Sequence, residues 1–114
     1  AYCGAVCAAT GAGCAMTYLD GGTLEQIDQT ITNSIATSSG MVCDGAKPSC
    51  AAKISSAIDA GILGYELYCR GQEFLDGDGI IRKGVDNTIG NVGRMARSGM
   101  RETDRVILDI MCGC

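Results

Sequence analysis

The chain has 114 residues, room for one small domain, with 46% hydrophobic and 19% charged residues and a formal net charge of −4. It has 8 Cys, 17 Gly, one Pro, no Trp and no His, which excludes Ser-His and Cys-His catalysis, His-ligated zinc and any histidine proton shuttle. An acidic chain with no cluster of Lys or Arg also lacks the electrostatic footprint of a nucleic-acid or anionic-membrane binder.

Aromatics make up only 4% of the chain, so a core must be assembled from Ala, Ile, Val, Leu, Met and Cys. From Cys3 to Leu19 there is no charged residue and small residues dominate. The run is short for a membrane span and poor in Leu, Ile and Phe, so a buried helix is expected. Gly4, Ala8, Gly11 and Ala15 recur at helical spacing and predict a smooth stripe for a neighbouring helix, ended by Asp20-Gly21-Gly22. Thr23 to Thr37 reads as an amphipathic helix. Thr23 and Gln26 form a capping box, and Leu24, Ile27, Ile31 and Ile35 make its apolar face. Ser38-Ser39-Gly40 breaks it.

Pro48 suits the first position of a third helix, where its missing N–H costs nothing. That helix is expected to reach about Arg70, with Ile54, Ile58, Ile62, Tyr65 and Cys69 inward and Gly71 as its stop. Asp76-Gly77-Asp78-Gly79 reads as a turn, since the later ligands and closing Glu of an EF-hand are absent. A fourth helix is expected over about Ile81–Arg97, with Val85, Ile89, Val92 and Ala96 on one side. A fifth, over about Arg101–Met111, would bury Val106, Ile107, Ile110 and Met111. With no strand pattern and no repeat, the fold class expected is all-α: a compact bundle of about five Gly/Ala-rich helices in one domain, 1–114.

The cysteines sit in regular apolar stretches and not in the Pro-rich loops of a disulfide scaffold. The N-terminus lacks the basic and Leu-rich regions of a secretory signal. The chain starts without Met inside an apolar run and ends on Cys114. Together these predict a reduced, cytoplasmic domain cut from a longer polypeptide. Cys14, Cys69, Met95, Met100 and Met111 read as core.

The sharpest local feature is Gly40-Met41-Val42-Cys43-Asp44-Gly45-Ala46-Lys47-Pro48-Ser49-Cys50. It puts one Cys in a Gly-flanked loop and a second in the first turn of a helix. Free N–H groups, the positive end of the helix dipole and Lys47 all favour anionic sulfur there. A loop folding back over an anion also accounts for Gly45. The same residues fit an ordinary loop-to-helix junction with two small cysteines, and the segment alone leaves both readings open. Zinc normally uses Cys-x-x-Cys knuckles, absent here, whereas an iron–sulfur cluster tolerates irregular spacing and all-Cys ligation.

This segment, continued by Ala51 and Lys53, resembles the signature of the L-cysteine desulfidase, serine-dehydratase-like family. Tyr2-Cys3-Gly4, Thr10-Gly11-Ala12 and Tyr18-Leu19 agree with it, as does the ending Gly99-Met100-Arg101-Glu102-Thr103-Asp104-Arg105 through Met111. More distantly, the chain is similar to the α-domain of iron–sulfur L-serine dehydratases. The resemblance covers the whole chain but only the C-terminal part of the longer family proteins. It implies an all-helical domain holding a 4Fe–4S cluster through three cysteines, with the fourth iron open as a Lewis acid. Carried over to this sequence, the ligands are Cys43, Cys50 and Cys3, with Cys7 the runner-up to Cys3. Lys47 and Arg101 are candidates for substrate binding, Arg101 being equally readable as a surface charge in a first helical turn. Cys112 and Cys114 depart from the family pattern; in some serine dehydratases a C-terminal Cys folds back onto the open iron, and Cys114 is the residue that would imitate it.

The resemblance further implies β-elimination from L-cysteine or L-serine, giving pyruvate, ammonia and sulfide or water. The proton-abstracting base is expected in the N-terminal catalytic region of the same protein, so this chain alone is expected to be inactive. The partners implied are a small L-amino acid and that region, with neither nucleic acid nor membrane. The sequence gives no oligomeric state, and faces left bare by an absent N-terminal region leave room for a homo-oligomer. The alternative is a non-catalytic Cys-rich helical module that binds metal or pairs its thiols.

Overall fold

A computed structural model of the chain describes residues 2–113. Among these residues the order is α1 Gly4–Leu19, α2 Leu24–Ser38, α3 Ser49–Cys69, α4 Val85–Arg94, a π-helical turn Met95–Gly99, and α5 Arg101–Cys112. The all-α class and the five helices match the sequence reading. The only extended pairing described is an isolated antiparallel bridge between Tyr2 and Val42. Among the described residues no helix is long and apolar enough to cross a membrane.

Local signals place most helix ends. Thr23 Oγ1 accepts from the Gln26 N–H at 3.3 Å while Gln26 Oε1 accepts from the Thr23 N–H at 2.7 Å, the reciprocal box that starts α2. Pro48 occupies the cap of α3. Gly71 stops α3, its N–H reaching the Tyr68 carbonyl at 2.8 Å. In the turn at 75–83, Asp78 Oδ2 accepts from the Leu75 N–H at 2.7 Å and Asp76 Oδ1 from the Lys83 N–H at 2.9 Å. The fourth helix begins later than expected. The Thr88 hydroxyl lies 3.1 Å from both the N–H and the carbonyl of Arg82, holding residues 81–83 outside the helix with Ile81 buried. The π turn then ends α4 before Arg97.

The helix faces differ most from expectation. The three packed helices α1, α2 and α3 meet through small residues. A Cβ placed on Gly13 of α1 would lie 2.8 Å from Gly61 Cα of α3, and one on Gly64 would lie 2.8 Å from Ser34 Oγ and 2.9 Å from the Thr30 carbonyl of α2. At that approach only small side chains fit, so α2 buries Thr30, Thr32, Asn33 and Ser34. Its expected face is only half-covered at Ile27, Ile31 and Ile35, and Leu24 is exposed. On α3, Ala57, Ala60, Gly61 and Gly64 are buried, whereas Ile54, Ile62 and Cys69 are exposed and Ile58 and Tyr65 half-buried. On α1 the contact stripe is Val6, Ala9, Gly13 and Thr17, one face round from the expected Gly4, Ala8, Gly11 and Ala15, all of which are exposed. On α4, Ile89 is exposed, while Val85 and Val92, like Ala96 of the π turn, are half-buried.

The side chains of buried Thr17, Thr30, Thr32, Asn33, Ser34 and Thr88 are all bonded. Thr17 Oγ1 and Thr30 Oγ1 pair across α1 and α2 at 3.1 Å, and Asn33 Nδ2 donates to the Gly64 carbonyl at 2.9 Å. Asn33 Oδ1 accepts from the Phe74 N–H at 3.1 Å, pinning the chain that leaves α3. No buried side-chain polar atom among the described residues lacks a partner, as native interiors require.

The molecule measures 50 × 30 × 16 Å. A bundle under two helix diameters thick has little interior, so α5 buries no residue and Val106, Ile110 and Met111 are exposed, with Ile107 half-buried. Of the methionines read as core, Met95 and Met111 are exposed and Met100 half-buried.

Candidate functional site

The site is built at the start of α1 and the start of α3. The Tyr2–Val42 bridge lays residues 2–3 antiparallel to 41–42, with the Cys3 N–H donating to the Met41 carbonyl at 3.0 Å. That pairing fixes Cys3, at the cap of α1, beside the chain that carries Cys43. Cys3 is buried and packs with Val6, Ala9 and Ala57 in the core. Cys43 is exposed on the loop, and Cys50 is half-buried in the first turn of α3.

Gly45 turns the loop with φ +91°, a conformation L side chains rarely adopt. A Cβ there would also lie 2.8 Å from Met111 Cε, so the end of α5 covers this turn. The turned loop brings the Gly45 carbonyl 3.5 Å from the Cys50 thiol, which donates to it.

Cys3, Cys43 and Cys50 line one cavity of about 530 Å³. Its remaining walls are small or aliphatic: Gly4, Ala8 and Ala12 on α1, Gly45 and Ala46 on the loop, Ile54 and Ile58 on α3. The Gly/Ala stripe of α1 read as a helix-packing face therefore lies partly along this cavity. Cys7 is exposed and lines a second apolar groove of about 590 Å³, with Cys14, Ile31, Ile35, Ile89 and Val92; Cys3 lines both. Cys14 is half-buried there, its thiol pushed up by burial and then by Asp28. Every described cysteine is a free thiol.

Three charged groups frame the loop. Asp44 accepts from Lys47 and, through Oδ1, from Lys53 Nζ at 2.5 Å. These two hydrogen bonds hold its carboxyl down at about 2. Lys53 also donates to the Val42 carbonyl at 3.0 Å. Its ammonium is held above the ordinary lysine value, first by the bond to Asp44, with the nearby Cys3 and Cys50 adding to the rise as thiolates. Lys47 is exposed and Arg101 begins α5 in the open; neither lines the cavity. Lys53 enters the sequence reading only as part of the family signature, with no role given to it, although its position one helical turn after Cys50 puts both on one face of α3. Cys114, and with it any reach back to the site, lies outside the described residues.

Among the described residues no three His, Cys, Asp or Glu side chains converge tightly enough to hold a single metal ion. A single zinc ion needs that convergence. A cluster held by three thiolates would not, since each sulfur would bind its own iron. The donor set also fits the softer centre: three thiols, no imidazole, and no carboxylate lining the cavity.

The profile of the serine dehydratase alpha chain family matches residues 1–109. The chain belongs to this family. It is 55% identical over 111 residues to a UPF0597 protein of Desulfitobacterium hafniense, covering 97% of this chain and 26% of that protein. A UPF0597 protein of Lachnoclostridium phytofermentans is 57% identical over 97% of this chain and 27% of its own length. One from Treponema denticola is 48% identical over 97% of this chain and 26% of its own. The chain thus spans about a quarter of the length of these relatives. No solved structure matches it.

Proposed function

We propose that this chain is the cluster-binding domain of an iron–sulfur amino-acid lyase, with Cys3, Cys43 and Cys50 holding a 4Fe–4S centre. The observation that carries the reading is the meeting of these thiols, from two separate stretches of chain, on one cavity otherwise walled by glycine, alanine and isoleucine. Membership of the serine dehydratase alpha chain family supplies the reaction class. When bound, the cluster supplies a Lewis-acidic iron that makes a leaving thiol or hydroxyl more acidic.

The chain's own residues do the rest of the domain's work. Cys3 comes from the buried core and Cys50 from a rigid helix, which fixes two points of attachment, while the turn at Gly45 closes the third from the loop. The aliphatic walls offer the centre no competing oxygen side chain. The reaction proposed converts L-cysteine and water into pyruvate, ammonia and hydrogen sulfide, or L-serine into pyruvate and ammonia. No side chain lining the cavity is a carboxylate, imidazole or amine suited to take the α-proton, so the base is assigned to the rest of the family-length polypeptide. That region also gives the apolar faces exposed at Ile54, Ile62, Ile89, Leu108 and Ile110 something to lie against. A cytoplasmic setting belongs to the same proposal, a thiol-ligated cluster needing a reducing compartment.

The test is anaerobic reconstitution of the full-length protein with iron and sulfide, followed by assay of pyruvate from L-cysteine and from L-serine. Pyruvate from either substrate, and none from residues 1–114 alone, is the expected result. A fully loaded protein that forms none from either would overturn the lyase reading.

A further inference from the structure

We propose that Lys53 is the positioning residue of the cysteine cavity: its ammonium clamps both neighbours of Cys43 to the helix that carries Cys50, and its charge offsets that of the thiolate-bound centre. The clamp stands on geometry alone. The charge role rests on the cluster reading above.

Lys53 Nζ donates to the Val42 carbonyl at 3.0 Å and to Asp44 Oδ1 at 2.5 Å, the residues on either side of Cys43. Its own backbone lies one turn after Cys50 on α3. Val42 is in turn bridged to Tyr2, and the Cys3 N–H is bonded to the Met41 carbonyl. A single ammonium therefore joins the loop that presents Cys43 to the helix that presents Cys50, and the backbone bridge ties the residues around Cys3 to that same loop. Lys47, which also reaches Asp44, touches no second segment and has a side chain 42% exposed, against 20% for Lys53. An exposed pair of the first kind contributes little. A half-sheltered ammonium on two anchors holds a loop in register; it does not line the cavity, but Cys3 and Cys50 lie near enough to act on its charge. A three-thiolate 4Fe–4S centre carries net negative charge, and reduction adds to it, so a neighbouring cation favours the reduced form and raises the potential.

The experiment compares Lys53→Met, Lys53→Arg and Lys47→Met in the full-length protein. Without metal, hydrogen exchange at the amides of residues 42–46 is expected to rise about tenfold or more in Lys53→Met, and to stay within about threefold of wild type in the other two. With the cluster reconstituted, Lys53→Met is expected to lose iron to a chelator about tenfold faster and to show a more negative reduction potential, both restored in Lys53→Arg. Unchanged loop exchange in Lys53→Met, or an equal effect from Lys47→Met, would overturn the clamp. An unchanged potential in a loaded Lys53→Met would overturn the charge role. Wild type that takes up no iron and sulfide would instead overturn the cluster reading, and the exchange measurement would still decide the clamp. If Lys53→Met loses its helical circular dichroism, Lys53→Gln replaces it with the same expectations.

Discussion

Replacing Gly13 with Ala tests whether close helix approach holds this fold together. A Cβ at residue 13 would lie 2.8 Å from Gly61 Cα, 3.1 Å from its carbonyl carbon and 3.3 Å from its oxygen, all backbone atoms that no rotamer change can move. Carbon atoms rest about 3.5–4.0 Å apart, so α1 must withdraw from α3 by roughly 0.7 Å or more, and a gap of that size forfeits a quarter to a half of the contact energy along the stripe. Overpacking of this kind costs about 1–3 kcal/mol. The better helix propensity of Ala returns about 1 kcal/mol, leaving a net loss of up to about 2 kcal/mol. With an unfolding entropy of about 0.24 kcal/mol/K for a chain this long, the melting temperature falls by up to about 8 °C. Gly90→Ala in α4 is the matched control, because nothing lies within 4 Å of a Cβ there. It should gain about 0.5–1 kcal/mol and melt about 2–4 °C higher. Thermal unfolding followed by far-ultraviolet circular dichroism reads both, and a Gly13→Ala protein as stable as Gly90→Ala would refute the reasoning.

Asn33→Ala should destabilise the chain by about 1–2 kcal/mol in urea unfolding, since it removes the cross-helix bond to the Gly64 carbonyl and the bond that holds the Phe74 N–H. Amide exchange at Phe74 should quicken at the same time, and a loss below about 0.5 kcal/mol would contradict the buried network. Asp44 should titrate in the folded protein at about 2, well below its unfolded value. Its contribution to stability is then complete above the unfolded carboxylate range and lost as pH falls through about 2. A carboxyl carbon shift with its midpoint near 4 would show that the two lysines do not hold it.

The helices were legible because their ends are written in local chemistry. The box at Thr23 and Gln26, Pro48 before α3 and Gly71 after it each satisfy or remove a specific backbone group, and all act where the sequence puts them. The inward faces were not legible from hydropathy. Periodic Ile and Leu normally mark the buried side, but here glycines at positions 13, 61 and 64 set helix separations that admit only Ala, Ser, Thr and Asn between them. The large aliphatic residues are displaced to faces that a thin bundle leaves open. The late start of α4 escaped notice because it depends on Thr88 bonding back to Arg82, a contact that competes with the helix.

At the site, Cys43 and Cys50 stood out from their Gly-flanked loop and helix start, and the resemblance to the desulfidase family added Cys3. Lys53 did not stand out, because its role depends on the loop folding back across α3, which no spacing shows. Cys69, read as a core residue, is exposed at the end of α3, where the chain turns away from the bundle.

The most direct measurement is the iron and acid-labile sulfide content of anaerobically reconstituted protein carrying Ser in turn at positions 3, 7, 43 and 50. Wild type and Cys7→Ser should each hold about four irons and four sulfides per chain, while Cys3→Ser, Cys43→Ser and Cys50→Ser should lose most of both. Retention in Cys3→Ser with loss in Cys7→Ser would move the centre to the other groove, and full retention in all four variants would contradict the account altogether.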